Sequence, residues 1–320
     1  MNKNELIMLQ ALPLEIKVAK SKLRIREWVQ HYGAENVYIS FSGGKDSTVL
    51  LDLVRSEFSE IEAVFVDTGL EYPEIKQFVK SFDNVTILRP KMSFKQVIEK
   101  YGYPMVSKEQ ARYIEDIRHG SEYMKIRRLE GDEKGRYKLS NKYRYLINAP
   151  FNISSKCCDV MKKSPVKKYE KETGKVPFIG TLADESLLRM QTYMKNGCNA
   201  FNSKRPLSTP LGFWKQQDIL EYIYKNNLRI SSVYGDVVKE NNVYKTTKLD
   251  RTGCIFCGFG IHLEKEPNRY QLLEKSHPQL HKYCMENLGF KDVCEYMNIK
   301  YKGEWYIWQI TIMICKGIQN

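Results

Sequence analysis

The stretch FSGGKDSTVLLDL, residues 41–53, decides how this chain is read. An apolar run, NVYISF at 36–41, leads into it, and a run with helical spacing leads out. A strand, a glycine-rich loop and a helix in that order aim several backbone N–H groups at the helix N-terminus, where an anion is stabilised. Gly43 and Gly44 let the backbone approach phosphate oxygens, Lys45 adds a point charge, and Ser42 and Ser47 offer hydroxyls. The spacing is not that of a Walker A loop, whose two glycines stand further apart and whose lysine is followed by Ser or Thr. A plain glycine turn is the bland alternative, and the strand and helix on either side argue against it.

The alternation continues outward. EAVFVDTG (62–69) reads as a strand ending at Asp67, YPEIKQFVKSF (72–82) as a helix, NVTILRP (84–90) as a third strand and SFKQVIEKYG (93–102) as a further helix. VPFIGT (176–181) reads as a fourth strand. Strands alternating with helices predict an α/β fold, a mostly parallel sheet with helices on both faces. Residues 5–32 read as one helix, 156–174 as a helix ended by Gly174, and KQQDILEYIYKNN (215–227) as another. From 110 to 147 no clean period holds, and an inserted helical or hairpin element is expected there. The expected organisation is an N-terminal helical segment at 1–35, a nucleotide-binding domain at 36–245 with a basic insertion at about 110–147, and a cysteine-containing, helical C-terminal part at 246–320.

The chain has 320 residues, 42% hydrophobic and 28% charged, the balance of a globular protein with a sizeable core. No apolar stretch is long enough for a membrane-spanning helix; WYIWQITIMIC (305–315) is expected to be a final strand or a packed helix. The N-terminus carries acids and lacks a signal-peptide cleavage pattern, so the expected address is the cytoplasm. Net charge is +13, and residues 91–175 hold 21 Lys/Arg against 11 Asp/Glu. A basic, tyrosine-rich region favours anionic partners, nucleic acid among them; the alternative is a solvated surface around a nucleotide site. A partner protein and a homo-oligomer both stay open.

Beyond the loop, SGGKDS after a strand resembles the PP-loop of the ATP pyrophosphatases and of the phosphoadenosine phosphosulfate (PAPS) reductase family. VFVDTGLEYPE (64–74), YGYPMVSK (101–108), GTLADESLLR (180–189), PLGFWKQQDILEYI (210–223) and RTGCIFC (251–257) are similar to further segments of that family, in the same order. The resemblance implies a Rossmann-like adenine nucleotide alpha hydrolase fold, with an adenine nucleotide at the strand C-termini. It implies that Ser42, Gly43, Gly44, Lys45, Asp46 and Ser47 hold phosphate, and that Asp67, Thr68 and Gly69 meet ribose, adenine or Mg²⁺. Arg189 becomes a clamp on phosphate or sulfate, and Glu185 either orients Arg189 or binds metal. Lys45, Asp46 and Arg189 are the candidate catalytic residues. As plain structure, Asp67 would be a strand-end turn residue and Glu185 a surface acid.

Eight cysteines in a chain expected to be cytoplasmic are not expected to form disulfides. Cys157, Cys158, Cys254 and Cys257 supply as many thiolates as an iron–sulfur cluster or a structural zinc needs. Adjacent cysteines suit zinc poorly, and the Cys-Cys…Cys-x-x-Cys arrangement resembles the [4Fe-4S] site of adenylylsulfate (APS) reductases. Zinc and unliganded thiols remain alternatives. Lys156, Lys162, Lys163 and Arg251 flank these cysteines and would offset thiolate charge. His277 and His281 have helical spacing, but Pro278 between them and the lack of a third ligand favour helix surface or core packing.

The resemblance contains two chemistries. Reductases of the family usually carry an altered loop and a C-terminal nucleophilic cysteine in a Glu-Cys-Gly-Leu-His tail; here the loop is complete and Cys315 is followed by Lys. The expected reaction is therefore cleavage of Mg-ATP to AMP and pyrophosphate, with adenylylation of an acceptor for sulfur chemistry. Reduction of APS or PAPS to release sulfite is the alternative, and a non-catalytic nucleotide-binding regulator is a third reading.

Overall fold

The structure is a computed structural model, and it describes residues 1–303; the expected element at 305–315 and Cys315 lie outside the described residues. In chain order the helices and strands are α1 (Lys3–Gln10), α2 (Leu14–Tyr32), β1 (Val37–Ser40), α3 (Lys45–Arg55), β2 (Ala63–Val66), α4 (Pro73–Lys80), β3 (Val85–Leu88), α5 (Phe94–Tyr101) and β4 (Met105–Val106). There follow α6 (Lys108–His119), α7 (Glu122–Glu130), α8 (Ser164–Thr173), β5 (Val176–Ile179), α9 (Leu187–Asn196) and α10 (Gln216–Lys225). The last are β6 (Val237–Glu240), β7 (Val243–Thr246), β8 (Gly258–Phe259), α11 (Arg269–Ser276), α12 (Pro278–Lys282) and α13 (Phe290–Tyr296). Among the described residues the chain divides into two compact units: Met1–Lys91 with Lys162–Gly253, and Met92–Met161 with the residues from Cys254 onward. Among the described residues no helix is long and apolar enough to cross a membrane.

The first unit is built on a sheet of order β3-β2-β1-β5, every pair parallel. Tyr38, Val64 and Leu88 share one sheet face and pack against Tyr169 and Val166 of α8. Ile39 and its register partner Phe178 point to the other face, where the Phe178 ring lies 6.4 Å from that of Trp28 in α2. Helices on both faces explain why β1 reads as a nearly unbroken apolar run rather than an alternating one. β1 lies between β2, reached through α3, and β5, reached only after the chain has left the unit and returned. The chain thus departs to opposite sides after β1 and before β5, and at such a switch point the strand C-termini open a crevice. The glycine loop leaves β1 there.

One expected helix is split and another widens locally. Residues 5–32 form α1 and α2 because Pro13 is the N-cap of α2 (φ −56°, ψ 150°), and a proline restricts the residue before it away from helix. Residues 157–173 are helical, as expected, and the helix carries a π-helical turn at Asp159–Lys163 before α8. Pro165 in the first turn of α8 has no N–H to continue the preceding ladder, and the turn before it widens. Gly174 ends α8 in the left-handed conformation (φ 73°), as expected. The hairpin of β6 and β7 was not anticipated; Asn241 and Asn242, both at positive φ, connect its strands, and that pair was its sequence signal.

In the second unit the region without a period is helical. α6 and α7 are capped by Ser107 and Ser121 and followed by a 3₁₀ stretch, Asn141–Asn148. Arg128, buried, bonds Asp116 at 2.7 Å and lies over the Tyr113 ring, which ties α7 to α6. Arg118 donates to the carbonyls of Ile147, Ala149 and Phe151 and fixes the chain beyond the 3₁₀ stretch. β4 pairs in parallel with β8, so the segment after Tyr103 and the segment after Cys257 lie side by side. His281 is buried and bonds the Tyr301 carbonyl at 2.8 Å, the packing role expected of it.

Candidate nucleotide site and cysteine segment

Gly43 leaves the strand at φ +71°, and a Cβ there would come within 2.8 Å of Val79 and 2.9 Å of Ile75 in α4. Only glycine gives the loop both that conformation and that closeness. Gly44 is the N-cap of α3 and brings no side-chain cap, so the first N–H groups of the helix keep their capacity for an outside acceptor. Ser42 and Ser47 brace the loop: Ser47 Oγ accepts from the Ser42 N–H at 3.2 Å, lies 3.0 Å from Ser42 Oγ and donates to the Gly44 carbonyl. Their hydrogen bonds set the curvature of the loop.

Lys45 is only 6% exposed, and its ammonium lies 5.3 Å from the centroid of the Tyr234 ring. Burial pulls its pKa down; the Asp46 and Asp250 carboxylates oppose that shift, and Arg251 adds to it. Asp46 is pushed up by burial, against the attraction of Lys45, Arg251 and Arg189. Its Oδ1 is buried with no hydrogen-bond partner. A Cβ on Gly180 would lie 3.1 Å from the Asp46 carbonyl, so the segment after β5 closes tightly on the start of α3. Tyr234 is buried and its hydroxyl meets Thr252, which joins the floor of the loop to the RTG segment.

Glu185 is where two guanidinium groups meet. Arg189 contacts its Oε2 from one helical turn away, and Arg251 Nη2 lies 2.9 Å from its Oε1. Burial and the nearby Arg251 charge lower the Arg189 pKa, while Asp46 partly restores it. Asp67 stands at the end of β2, with Lys76 at 2.7 Å and the Gly69 N–H at 3.1 Å. Burial works against its ionisation, but Lys76, the Gly69 amide and Arg89 outweigh it and hold the carboxyl below the usual range. Thr68 donates to Glu71 at 2.6 Å, and Gly69 turns at φ +77° with open space where a side chain would be.

The structure thus brings Lys45, Asp46, Glu185 and Arg189 into one charged cluster, and adds four residues not singled out as ligands, Gly180, Tyr234, Arg251 and Thr252. Gly180 and Thr252 lie inside quoted motifs, and in the sequence Arg251 reads only as a neighbour of the cysteines. Tyr234 carried no signal, because a lone tyrosine in SSVYGD resembles any core aromatic. Trp214 and Asp218 of the PLGFWKQQD segment are structural. The Trp214 indole donates to Ser21 at 3.0 Å and Asp218 accepts from buried Lys17 at 2.6 Å, which fastens α2 to the start of α10.

All four suggestive cysteines belong to the second unit. Cys254 and Cys257 bracket a turn closed by the Cys257 N–H on the Cys254 carbonyl at 3.0 Å, and Arg269 donates to the Cys257 carbonyl at 3.1 Å. Cys157 is buried and Cys158 half-buried at the entry to the π-helical turn. In number and kind these donors match a four-thiolate cluster. Among the described residues, however, no three His, Cys, Asp or Glu side chains converge as a metal site. Cys198, Cys284 and Cys294 are buried, and burial pushes their thiols up, to about 12 for Cys198 and Cys294. They are core residues.

Comparison with known proteins agrees with the sequence reading at the level of family. The model of the phosphoadenosine phosphosulfate reductase domain matches residues 36–143 and 130–258. An uncharacterized protein of Methanocaldococcus jannaschii is 25% identical over 232 residues, which are 70% of this chain and 42% of that protein. An adenosine 5'-phosphosulfate reductase of Geobacillus kaustophilus is 25% identical over 211 residues, 65% of this chain and 72% of that protein. The chain therefore spans less than half the length of the first relative. The crystal structure of a PAPS reductase from Candida auris in a phosphate complex superposes with a TM-score of 0.40 at 15% identity, over 72% of this chain and 90% of that one. That likeness is too low to assign residues.

Proposed function

The chain belongs to the phosphoadenosine phosphosulfate reductase domain family, and on that premise we propose that it binds ATP on residues 42–47 and cleaves it to AMP and pyrophosphate, adenylylating an acceptor for sulfur chemistry. The observation that carries this reading is Lys45: a lysine buried at the first turn of α3, its pKa pulled down by burial, beside helix N–H groups with no side-chain cap. Such a group gains most from an anion of high charge density, and a β,γ-pyrophosphate is one.

In the proposed reaction an acceptor oxygen attacks the α phosphorus, the bond from that phosphorus to the bridging oxygen breaks, and pyrophosphate leaves with the electron pair. The acceptor's proton passes to solvent. Lys45 and the loop amides meet the charge that grows on the leaving group. Arg189, held by Glu185, faces the α phosphate. Asp67 receives the ribose hydroxyls, and Thr68 and Gly69 form the turn beside it. The orphaned Oδ1 of Asp46 fits a Mg²⁺ ion accompanying ATP, which when bound draws charge from the phosphate oxygens. Cys157, Cys158, Cys254 and Cys257 would hold a [4Fe-4S] cluster, with zinc the alternative; four thiols on two segments of one unit support that assignment.

The test is pyrophosphate release from Mg-ATP by the anaerobically purified protein with a nucleic acid present as acceptor, with Lys45→Ala as control. Release that Lys45→Ala abolishes supports the reading; wild-type turnover in that variant sinks the loop assignment. A second reading rests on the Geobacillus reductase, of which this chain covers 72%: reduction of a sulfonucleotide. Sulfite release from APS with a thiol reductant, and no pyrophosphate from ATP, would establish it instead.

A further inference from the structure

We propose that the second unit carries a docking surface for single-stranded nucleic acid, made of an alternating ladder of tyrosines and arginines along α7 and in the loop after it. This deepens the ATP reading by naming the chemical class of the acceptor, and it rests on that reading for the strand's role but not for its binding.

Four side chains form the ladder. Arg127 lies over the Tyr123 ring at 5.9 Å and over the Tyr137 ring at 4.7 Å, and Arg136 lies over Tyr137 at 5.5 Å from the opposite end of the loop. Tyr123 is 64% exposed and Tyr137 40%. Asp132 fixes Arg136 by accepting from both its backbone N–H and its guanidinium, and the Tyr123 hydroxyl accepts from Arg127 at 2.8 Å. The planar groups are therefore held in place while the aromatic rings stay open to solvent.

Charge follows the same surface. Between residues 134 and 145 lie Lys134, Arg136, Lys138, Lys142 and Arg144 and no carboxylate, and all five are exposed. Tyr145, 44% exposed, stands beside them with its ring stacked on that of Tyr296. The scaffold beneath is rigid, through the buried Arg128–Asp116 pair and the three carbonyls held by Arg118. Exposed, pre-positioned π faces interleaved with cations are what unpaired bases on a phosphate chain require: every base has a face to stack, and the backbone charge is met without sequence readout. A duplex hides its base faces, and an acidic protein surface offers none. A merely solvated basic face would have no use for large tyrosines left in water beside their arginines.

The test uses the full chain without ATP. Fluorescence anisotropy is followed with a labelled single strand of roughly 16 nucleotides, its duplex, and heparin as a polyanion without bases. The single strand is expected to bind at least about tenfold more tightly than the duplex, with affinity falling steeply as salt rises. Tyr123→Ala and Tyr137→Ala should each weaken strand binding by at least about fivefold and leave heparin binding unchanged, whereas Tyr137→Phe should keep it. Circular dichroism on each variant separates lost binding from lost folding. Equal binding of strand, duplex and heparin, or no effect of either alanine in a folded variant, overturns the proposal. Strand binding without pyrophosphate release would leave this surface standing and sink the ATP reading alone.

Discussion

Arg251 and Glu185 meet across 66 residues of chain, Nη2 to Oε1 at 2.9 Å, and the contact makes Glu185 the shared counter-ion of two arginines. Under the proposed reaction its task is to keep Arg189 and Arg251 at fixed places despite their mutual repulsion. Glu185→Gln preserves shape and removes the charge. It is expected to cut pyrophosphate release by roughly tenfold to a hundredfold while ATP affinity moves by less than about threefold, because clamp position matters more than clamp presence. Steady-state kinetics beside equilibrium binding decides it. Unchanged kcat would remove Glu185 from the machinery.

Lys45 should make the ligand-free protein less stable than it could be. Its folded pKa lies below the ordinary 10.5, so the unfolded chain holds this proton more tightly than the folded one. The cost of the buried ammonium is thus fully present below the folded pKa, neutral pH included, and fades as pH rises from there through 10.5. Lys45→Met is expected to leave the ligand-free melting temperature unchanged or raised at neutral pH, with the difference closing in alkali, and to lose the stabilisation that ATP gives the wild type. A variant that melts lower without ligand, or is still stabilised by ATP, contradicts the account.

Gly43 and Gly69 both turn at positive φ, and only one is crowded. A Cβ at Gly43 meets Val79 and Ile75 below 3.0 Å; at Gly69 it meets nothing within 4 Å. Gly69→Ala should cost about 1 kcal/mol, the price of the left-handed conformation alone. Gly43→Ala should cost about 2–4 kcal/mol, since α4 must also shift. Urea unfolding of the two variants measures the difference directly, and equal losses would mean that the loop does not press on α4.

The cysteines divide into two sets with opposite expectations. Replacing Cys157, Cys158, Cys254 or Cys257 by Ala should lower the iron content and visible absorbance of anaerobically purified protein. Replacing Cys198 by Ala should leave both unchanged, because burial pushes that thiol to about 12 and withholds the thiolate a metal needs. Colourless wild-type protein with one zinc per chain would replace the cluster by zinc. Iron lost equally from the Cys198 variant would break the division.

Much of this was legible in the sequence because the physics is local. A strand followed by SGGKDS and a helix encodes the glycine loop in adjacent residues, since a glycine at positive φ and a helix start without a side-chain cap are written in the loop itself. The parallel sheet could be read from strand and helix periods, and the end of α8 from Gly174. Local reasoning failed where one residue overrides a period: Pro13 splits the first helix, and the widened turn before Pro165 is a detail inside a helix that the period did foresee. It also missed the hairpin at Asn241–Asn242, whose strands are too short to show a period. What only the tertiary structure decided is which distant groups share a charge. Arg251 on Glu185, Tyr234 beneath Lys45, and the pairing of β4 with β8 that sets the CxxC turn beside the chain after Tyr103 all join segments far apart in sequence. Composition carries no trace of such contacts, because their energy depends on distance and burial once the chain has closed.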